Sequence, residues 1–417
     1  MKILIICDMF PPAFGPRMGY LCKYMQKAGW SPTVITEQIP DQTFEFLCGD
    51  IPVTYISYYK AKGKVLKKLE WIGIQILDLF FKYKDRKLIQ TANQTLKAGG
   101  FSGVLCSTYR TFPLTAAQQV AHKHDLPFIA DLRDIIEQYA SDEYITHLFK
   151  SIPWLDKKIT HFFKSKLLQR RNKVLRKANC ITTVSPWHVE TLKQYNPVIH
   201  LIYNGYDPEL FYPQQLKSNQ FIMVYTGRLI SLATRDPHLL FKAIARLDKE
   251  KRISPLEFQL HWYMDKMSNE ILKQLAEEYQ ISPYMHYFGY VPATQIPVIL
   301  NQSSILIQLA NKMDKSGPKG IMTTKLFESL AVEKPLLCVR SDEAYLEAII
   351  KETHSGIAAR TEEDVYQFIL ENYRLWKEKG YTSIQIKKDA IELFSRKRQA
   401  EQFMDLFTQL KKDISHG

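Results

Sequence analysis

The stretch Thr323–Pro335, TTKLFESLAVEKP, sets a lysine and a glutamate three residues apart in a short helical repeat. Leu326, Phe327, Leu330 and Ala331 share one face of that repeat, and Lys325 and Glu328 share the other. Two uses compete for the polar pair. One is a solvated i,i+3 ion pair, worth about 0.2–0.5 kcal/mol and without further consequence. The other is recognition: a carboxylate accepts two hydrogen bonds from a vicinal diol such as a ribose, and a lysine meets a diphosphate. Gly317, Pro318 and Gly320 form a loop that leads through Thr323 and Thr324 into the helix. Free N–H groups at such a helix start favour an anion, so the context supports recognition.

Other charged residues sit where strands end. Arg228 follows Gly227 at the close of FIMVYTGR, and an arginine there can fork two hydrogen bonds onto phosphate oxygens. Asp131, Arg133 and Asp134 crowd the end of FIADLRD. Unpaired charges at the end of a buried strand are costly, so the choice lies between an internal Arg–Asp bridge and a polar cluster in a cleft. The cluster is favoured. Gly15 lies in a Pro/Gly loop between a strand and a helix beginning near Pro16 or Arg17, a place for a tight backbone path beside an anion. That loop matches neither a GxGxxG fingerprint nor a P-loop. Gly289 ends another strand. Ser185, before Pro186, reads as a helix N-cap, and Asn204-Gly205 as a structural turn.

The elements that must position these residues are legible as short apolar runs. KILIIC, PTVIT, VTYIS, GVLCS, FIADL, CITTV and HLIY occupy the first half; FIMVYT, FQLHWY, HYFGY, SILIQL, PLLCV and SGIAA occupy the second. Most are apolar throughout rather than alternating, the mark of strands buried on both faces of a parallel sheet. Helical periods lie between them, so the expected class is α/β with two doubly wound domains. The boundary is expected near YDPELFYPQQLKSNQ, giving domains 1–206 and 207–395 and a closing packing helix, 396–417. Two helical inserts, about 64–98 and 143–178, interrupt the first domain.

Composition bounds the rest. Six cysteines without a C-x-x-C pair fit reduced thiols rather than disulfides or a zinc site. The apolar run at the N-terminus is too short for a secretory signal, and no window of about 18 apolar residues is present, so a cytoplasmic protein is expected. The net charge of +13 is uneven: residues 1–206 carry 28 Lys+Arg against 16 Asp+Glu, and residues 207–417 carry 28 against 27. Lys157–Lys177 holds nine Lys/Arg and no acid, and Lys60–Lys68 holds five lysines ahead of Trp71, Ile72, Ile76 and Phe80. Basic residues beside apolar faces suit helices lying on an anionic membrane; the apolar faces alone could equally be core, and the charge bias of the first half decides for the membrane. No nucleic-acid motif accompanies the charge.

In order, PPAFGPRMGYLCKYMQKAGWSPTVIT, DLPFIADLRD, ANCITTVS, NGYDPELF, YTGRL and KLFESLAVEKPLL resemble a retaining GT-B glycosyltransferase of the family 4 type, over nearly the whole chain. The Asp-Leu-Arg-Asp segment is similar to a subgroup found in cell-surface polysaccharide assembly. The resemblance implies two Rossmann-like domains facing across a cleft. It also implies sugar transfer, with retention, from a nucleotide-sugar donor to a glycan or lipid-linked acceptor, with no cofactor and no required metal. No Asp-x-Asp triplet occurs. By resemblance Gly15 lies beside donor phosphate and acceptor, Arg228 binds the diphosphate, and Glu328 binds the ribose. Gly227, Gly289, Thr323, Thr324 and Lys325 complete the donor side, and Arg133 and Asp134 stand near the transferred sugar as catalytic candidates with Arg228. Two departures stand out. Gly320 replaces the family's first glutamate, and the usual lysine after Gly-Arg is not evident, with Arg235 or Lys325 as substitutes. A peripheral location at the inner membrane face follows. The alternative is a non-catalytic or epimerase-type GT-B protein that binds nucleotide sugars.

Overall fold

The computed structural model describes residues 1–138, 145, 147, 151–229, 231–232, 235–310, 319–339 and 344–416. Gly317 and Pro318, and parts of the second insert (143–144, 146 and 148–150), lie outside the described residues. The chain divides into two compact units, Met1–Tyr203 with Gln399–Gly417, and Asn204–Arg398.

All thirteen apolar runs form strands. In the first unit these are β1 (Lys2–Cys7), β2 (Ser31–Glu37), β3 (Val53–Ile56), β4 (Phe101–Thr108), β5 (Phe128–Leu132), β6 (Cys180–Thr183) and β7 (Ile199–Leu201). They build one parallel sheet in the order β3-β2-β1-β4-β5-β6-β7. The uninterrupted apolar runs follow from burial of both faces. In β1, Leu4 and Ile6 pack with Val104, Cys106 and Ala130 on one side. Ile3 and Ile5 pack on the other with Met18, Leu21, Phe403 and Phe407. The last two belong to the closing helix, Arg396–His416, which contributes fully buried rings to this unit's sheet. The first insert is a pair of helices, Lys64–Phe81 and Tyr83–Leu96, broken at Lys82, whose φ is 53°. The described part of the second insert is one helix, Pro153–Leu175.

The second unit holds β8 (Phe221–Thr226), β9 (Phe258–Tyr263), β10 (Met285–Phe288), β11 (Ile305–Leu309), β12 (Leu336–Val339) and β13 (Gly356–Ala359). Their order is β10-β9-β8-β11-β12-β13, again all parallel. Aromatic rings fill its core: Phe221 stacks on Phe258 at 5.1 Å and meets Tyr373 edge-on at 5.3 Å. Tyr373 lies on the helix Glu362–Lys379, which a Thr361/Asp364 capping box starts and Gly380, at φ 77°, ends.

In each sheet the winding reverses once, between β1 and β4 and between β8 and β11. Ligands of doubly wound sheets bind outside the carboxyl ends of the strands at such points. The residues singled out by chemistry cluster beside these two places.

Candidate functional site

In the second unit, β8 runs through Tyr225 and Thr226 into Gly227 and Arg228. Gly227 donates its N–H to the Tyr263 carbonyl at 2.9 Å and has φ 140°, a backbone state that side chains rarely adopt. A Cβ there would lie 1.9 Å from Lys325 Nζ. Glycine is therefore what lets the ammonium of the helix Thr324–Ala331 rest against the end of β8.

Lys325 and Glu328 do not form the i,i+3 ion pair. No salt bridge joins them, and neither side chain hydrogen-bonds another described residue. Both are partly buried. Burial, with Arg235 and Arg228 adding repulsion and Glu328 opposing, lowers the Lys325 pKa from 10.5 to about 8. Burial raises Glu328 from 4.5 to about 7, against the pull of Arg396 and Lys325. Among the described residues this ammonium and this carboxylate have no hydrogen-bond partner, and each is disfavoured in its charged form, so both are open to binding chemistry.

Tyr225 organises the surrounding cations. Its hydroxyl donates to the Arg228 carbonyl at 3.0 Å and is hydrogen-bonded by the Arg235 side chain, and its ring lies 5.8 Å from Lys325 Nζ. The exposed Arg228 guanidinium is held by Tyr290: Nε donates to its hydroxyl at 2.5 Å, and the ring centroid lies 5.7 Å away. Thr323 occupies the helix N-cap in an extended conformation, but its hydroxyl makes no cap bond, and Thr324 is the first helical residue. The helix start thus keeps backbone donors unclaimed by a side-chain cap. Gly289, next to Tyr290, is exposed and a Cβ there would meet nothing, so its backbone fits any small residue. Three cations and a helix N-terminus can bind a polyanion, and Glu328 can accept from a diol. Sequence reasoning missed Tyr225 and Tyr290, because nothing about a buried or exposed tyrosine marks it as a clamp for an arginine.

In the first unit the charges at the end of β5 split between two partners. Asp131 is fully buried and takes a forked pair of bonds from Arg17, Nε at 3.1 Å and a terminal nitrogen at 2.9 Å. Ser107 and Thr182 hydroxyls donate to it at 2.7 and 2.8 Å. Burial would raise its pKa, but Arg17 and the hydroxyls outweigh that and hold it low. Asp131 is therefore an internal ion pair that ties the start of helix Pro16–Lys27 to the sheet.

Arg133 pairs instead with Asp8, at the end of β1, and lies 5.6 Å from the Tyr109 ring at the end of β4. Its Nε is buried without a hydrogen-bond partner among the described residues. Asp134 makes no hydrogen bond to a described residue. Burial raises its pKa from 3.8 to about 6, with Arg133 opposing and Asp8 adding. Such a carboxyl can take or give a proton near neutrality. Gly15 caps the loop at the end of β1. A Cβ there would lie 2.7 Å from Phe10 Cα, so close backbone packing requires glycine.

Ser185 corrects the capping expectation. It stands at the N-cap of Pro186–Leu192, yet its hydroxyl makes no cap bond and is buried without a partner among the described residues. Gly205 presses on the Phe394 carbonyl, which a Cβ would approach to 2.2 Å, a packing role within the second unit.

Residues 207–371 match the family model described as Glycosyl transferases group 1. No curated protein matches the sequence. Among solved structures, the Anabaena protein HepE in complex with UDP superposes with a TM-score of 0.63 at 15% identity, covering 98% of this chain and 100% of that one. A glycosyltransferase from Rickettsia africae gives 0.61 at 15% identity, with 98% of each chain covered. Sucrose-phosphate synthase from Thermosynechococcus elongatus gives 0.60 at 14% identity, covering 98% of this chain and 99% of that one. At such identities the likeness shows the fold, which is GT-B: two parallel-sheet Rossmann-like units.

Proposed function

We propose that this chain transfers a sugar from a nucleotide-sugar donor to a glycan or lipid-linked acceptor, with retention at the anomeric carbon, in cell-surface polysaccharide synthesis. The observation that carries the reading is Lys325, seated by Gly227 against the end of β8 near Arg228 and Arg235, with Glu328 on the same helix and neither side chain hydrogen-bonded among the described residues. Glu328 accepts the ribose hydroxyls. Lys325, Arg228 and the helix start hold the diphosphate.

Breaking the bond between the anomeric carbon and the donor phosphate leaves its electron pair on the diphosphate. Cations fixed in place stabilise that charge more in the transition state than in the ground state. They supply the electrostatic work that a divalent metal would otherwise do, so we propose a metal-independent reaction. Arg133 and Asp134 serve the transferred sugar, and Asp134, raised to about 6, exchanges a proton close to neutral pH. With Gly320 in place of a glutamate, another group must contact the donor sugar. The basic first half brings the enzyme to an anionic membrane on its cytoplasmic face.

HepE is described in complex with UDP, so UDP-sugars are the first donors to test. Donors carrying UDP, GDP, ADP or CMP are incubated with the protein and a membrane extract, with and without EDTA. Nucleotide release and the anomeric configuration of the product are followed by NMR. The expected result is transfer with retention, insensitive to EDTA and abolished in Glu328→Ala. No donor consumed with any extract, together with unchanged donor binding in Glu328→Ala, would sink the reading. Interconversion of a donor sugar without acceptor would support the epimerase alternative.

A further inference from the structure

The helix Lys64–Phe81 leaves one whole face uncovered. Only Ile74 among its described side chains is buried. Leu66, Leu69, Ile76, Leu77, Phe80 and Phe81 are exposed by 60, 60, 41, 43, 62 and 59%. They recur every three or four residues through Gly73, forming a continuous apolar stripe along a helix of about 27 Å. Isolated exposed apolar residues are ordinary, but a stripe of this length marks an interaction surface.

Among the described residues of 60–87 every fully exposed charge is basic. Lys60, Lys62, Lys64, Lys67 and Lys68 are exposed at one end and Lys82 at the other. Both half-buried acids of the helix accept backbone N–H groups. The Glu70 carboxylate accepts the N–H groups of Lys60, at 2.9 and 3.0 Å, and of Ala61, at 2.8 Å. Asp78 is partly buried and accepts the Lys84 N–H at 3.0 Å. The outward surface therefore combines an apolar stripe with cations.

The other basic segment behaves differently. On Pro153–Leu175, Phe163, Val174 and Leu175 are buried, and Leu167 and Leu168 pack beside Phe163 and Ile136. Its apolar residues are mostly core, leaving Trp154 and Phe162 exposed. Among the described residues no helix is long and apolar enough to cross a membrane.

We propose that Lys64–Phe81 is an in-plane membrane helix. Its apolar stripe sinks into the acyl boundary of an anionic bilayer while the flanking lysines lie among the lipid headgroups. Charge complementarity selects an anionic surface, and the width of the apolar stripe excludes a purely electrostatic partner such as nucleic acid. The proposal rests on the transferase reading only for its purpose, delivery to a lipid-linked acceptor.

The test uses the full-length protein with vesicles of phosphatidylcholine alone or mixed with phosphatidylglycerol. The wild type is expected to float with the mixed vesicles and to be released by salt. Leu69→Ser with Phe80→Ser is expected to weaken partitioning roughly a hundredfold. Lys64→Gln, Lys67→Gln and Lys68→Gln should each cost roughly fivefold on the mixed vesicles and little on phosphatidylcholine alone, so each narrows the anionic preference. These positions are exposed, and unchanged melting curves verify folding. UDP binding in the same variants is expected to stay at the wild-type level, which separates this proposal from the transferase reading. Equal flotation of wild type and Leu69→Ser/Phe80→Ser would overturn it. A lipid-free dimer that this double variant dissociates would overturn it too, by assigning the stripe to a second copy of the chain. Binding of the wild type to short DNA or RNA with no vesicle binding would likewise defeat it.

Discussion

Lys325→Met removes one charge and keeps most of the side-chain volume, so it separates the cost of holding an unpartnered ammonium from its use. In the folded chain burial lowers the Lys325 pKa from 10.5 to about 8. Between those values the unfolded state binds more protons than the folded one, so stability rises with pH across the window. Below about 8 the full penalty applies. A shift of this size corresponds to about 3 kcal/mol, with the attraction to Glu328 already included in it. For a unit of this size each kcal/mol moves the melting temperature by roughly 2–4 °C. At neutral pH Lys325→Met is thus expected to melt several degrees above the wild type. The assay is a thermal melt with and without UDP. The ligand should raise the wild-type melting temperature, because it binds only the folded state, and should leave the variant unmoved. Wild-type UDP affinity should fall roughly tenfold from pH 7 to pH 9 as Lys325 loses its proton. A variant that melts lower than the wild type, or one that keeps the UDP shift, would show that Lys325 is a structural cation and that the reasoning is wrong.

Glu328→Gln tests the other member of the pair. Burial raises Glu328 from 4.5 to about 7, so between those values the folded state binds more protons and stability falls as pH rises; the penalty is complete above 7. Its stabilising effect in melts should therefore be largest above pH 7, and the wild type's loss of UDP affinity on acidification should flatten in the variant. Arg17→Met leaves Asp131 buried with only its hydroxyl donors and should cost about 3–5 kcal/mol in denaturant titrations. Because Asp131 is held low, that cost should shrink once the pH falls below the ordinary carboxylate range. Phe407→Ala empties a fully buried site in the first unit and should cost about 3–5 kcal/mol. Near-wild-type stability would mean that the closing helix is not anchored there.

The thirteen strands and the helix Thr324–Ala331 are legible in the sequence for one reason. Burial on both faces of a parallel sheet leaves an uninterrupted apolar run, and burial on one face of a helix leaves a 3.6-residue period. Both are local records of a global environment. The types of the recognition residues are legible too, since a lysine, a glutamate and an arginine at strand and helix ends carry their chemistry with them. Their partners are not. Lys325 and Glu328 look paired by spacing and are not, because Gly227 opens a place for the ammonium against another element. Asp131 and Arg133 are near neighbours, yet one answers to Arg17 and the other to Asp8, 125 residues earlier. The order β1-β4-β5 brings those ends together, and sheet order is a long-range property that spacing does not encode. The two basic segments likewise read alike in sequence. Tertiary packing buries the apolar face of Pro153–Leu175 and leaves that of Lys64–Phe81 open, because covering a face depends on what else the chain brings to it.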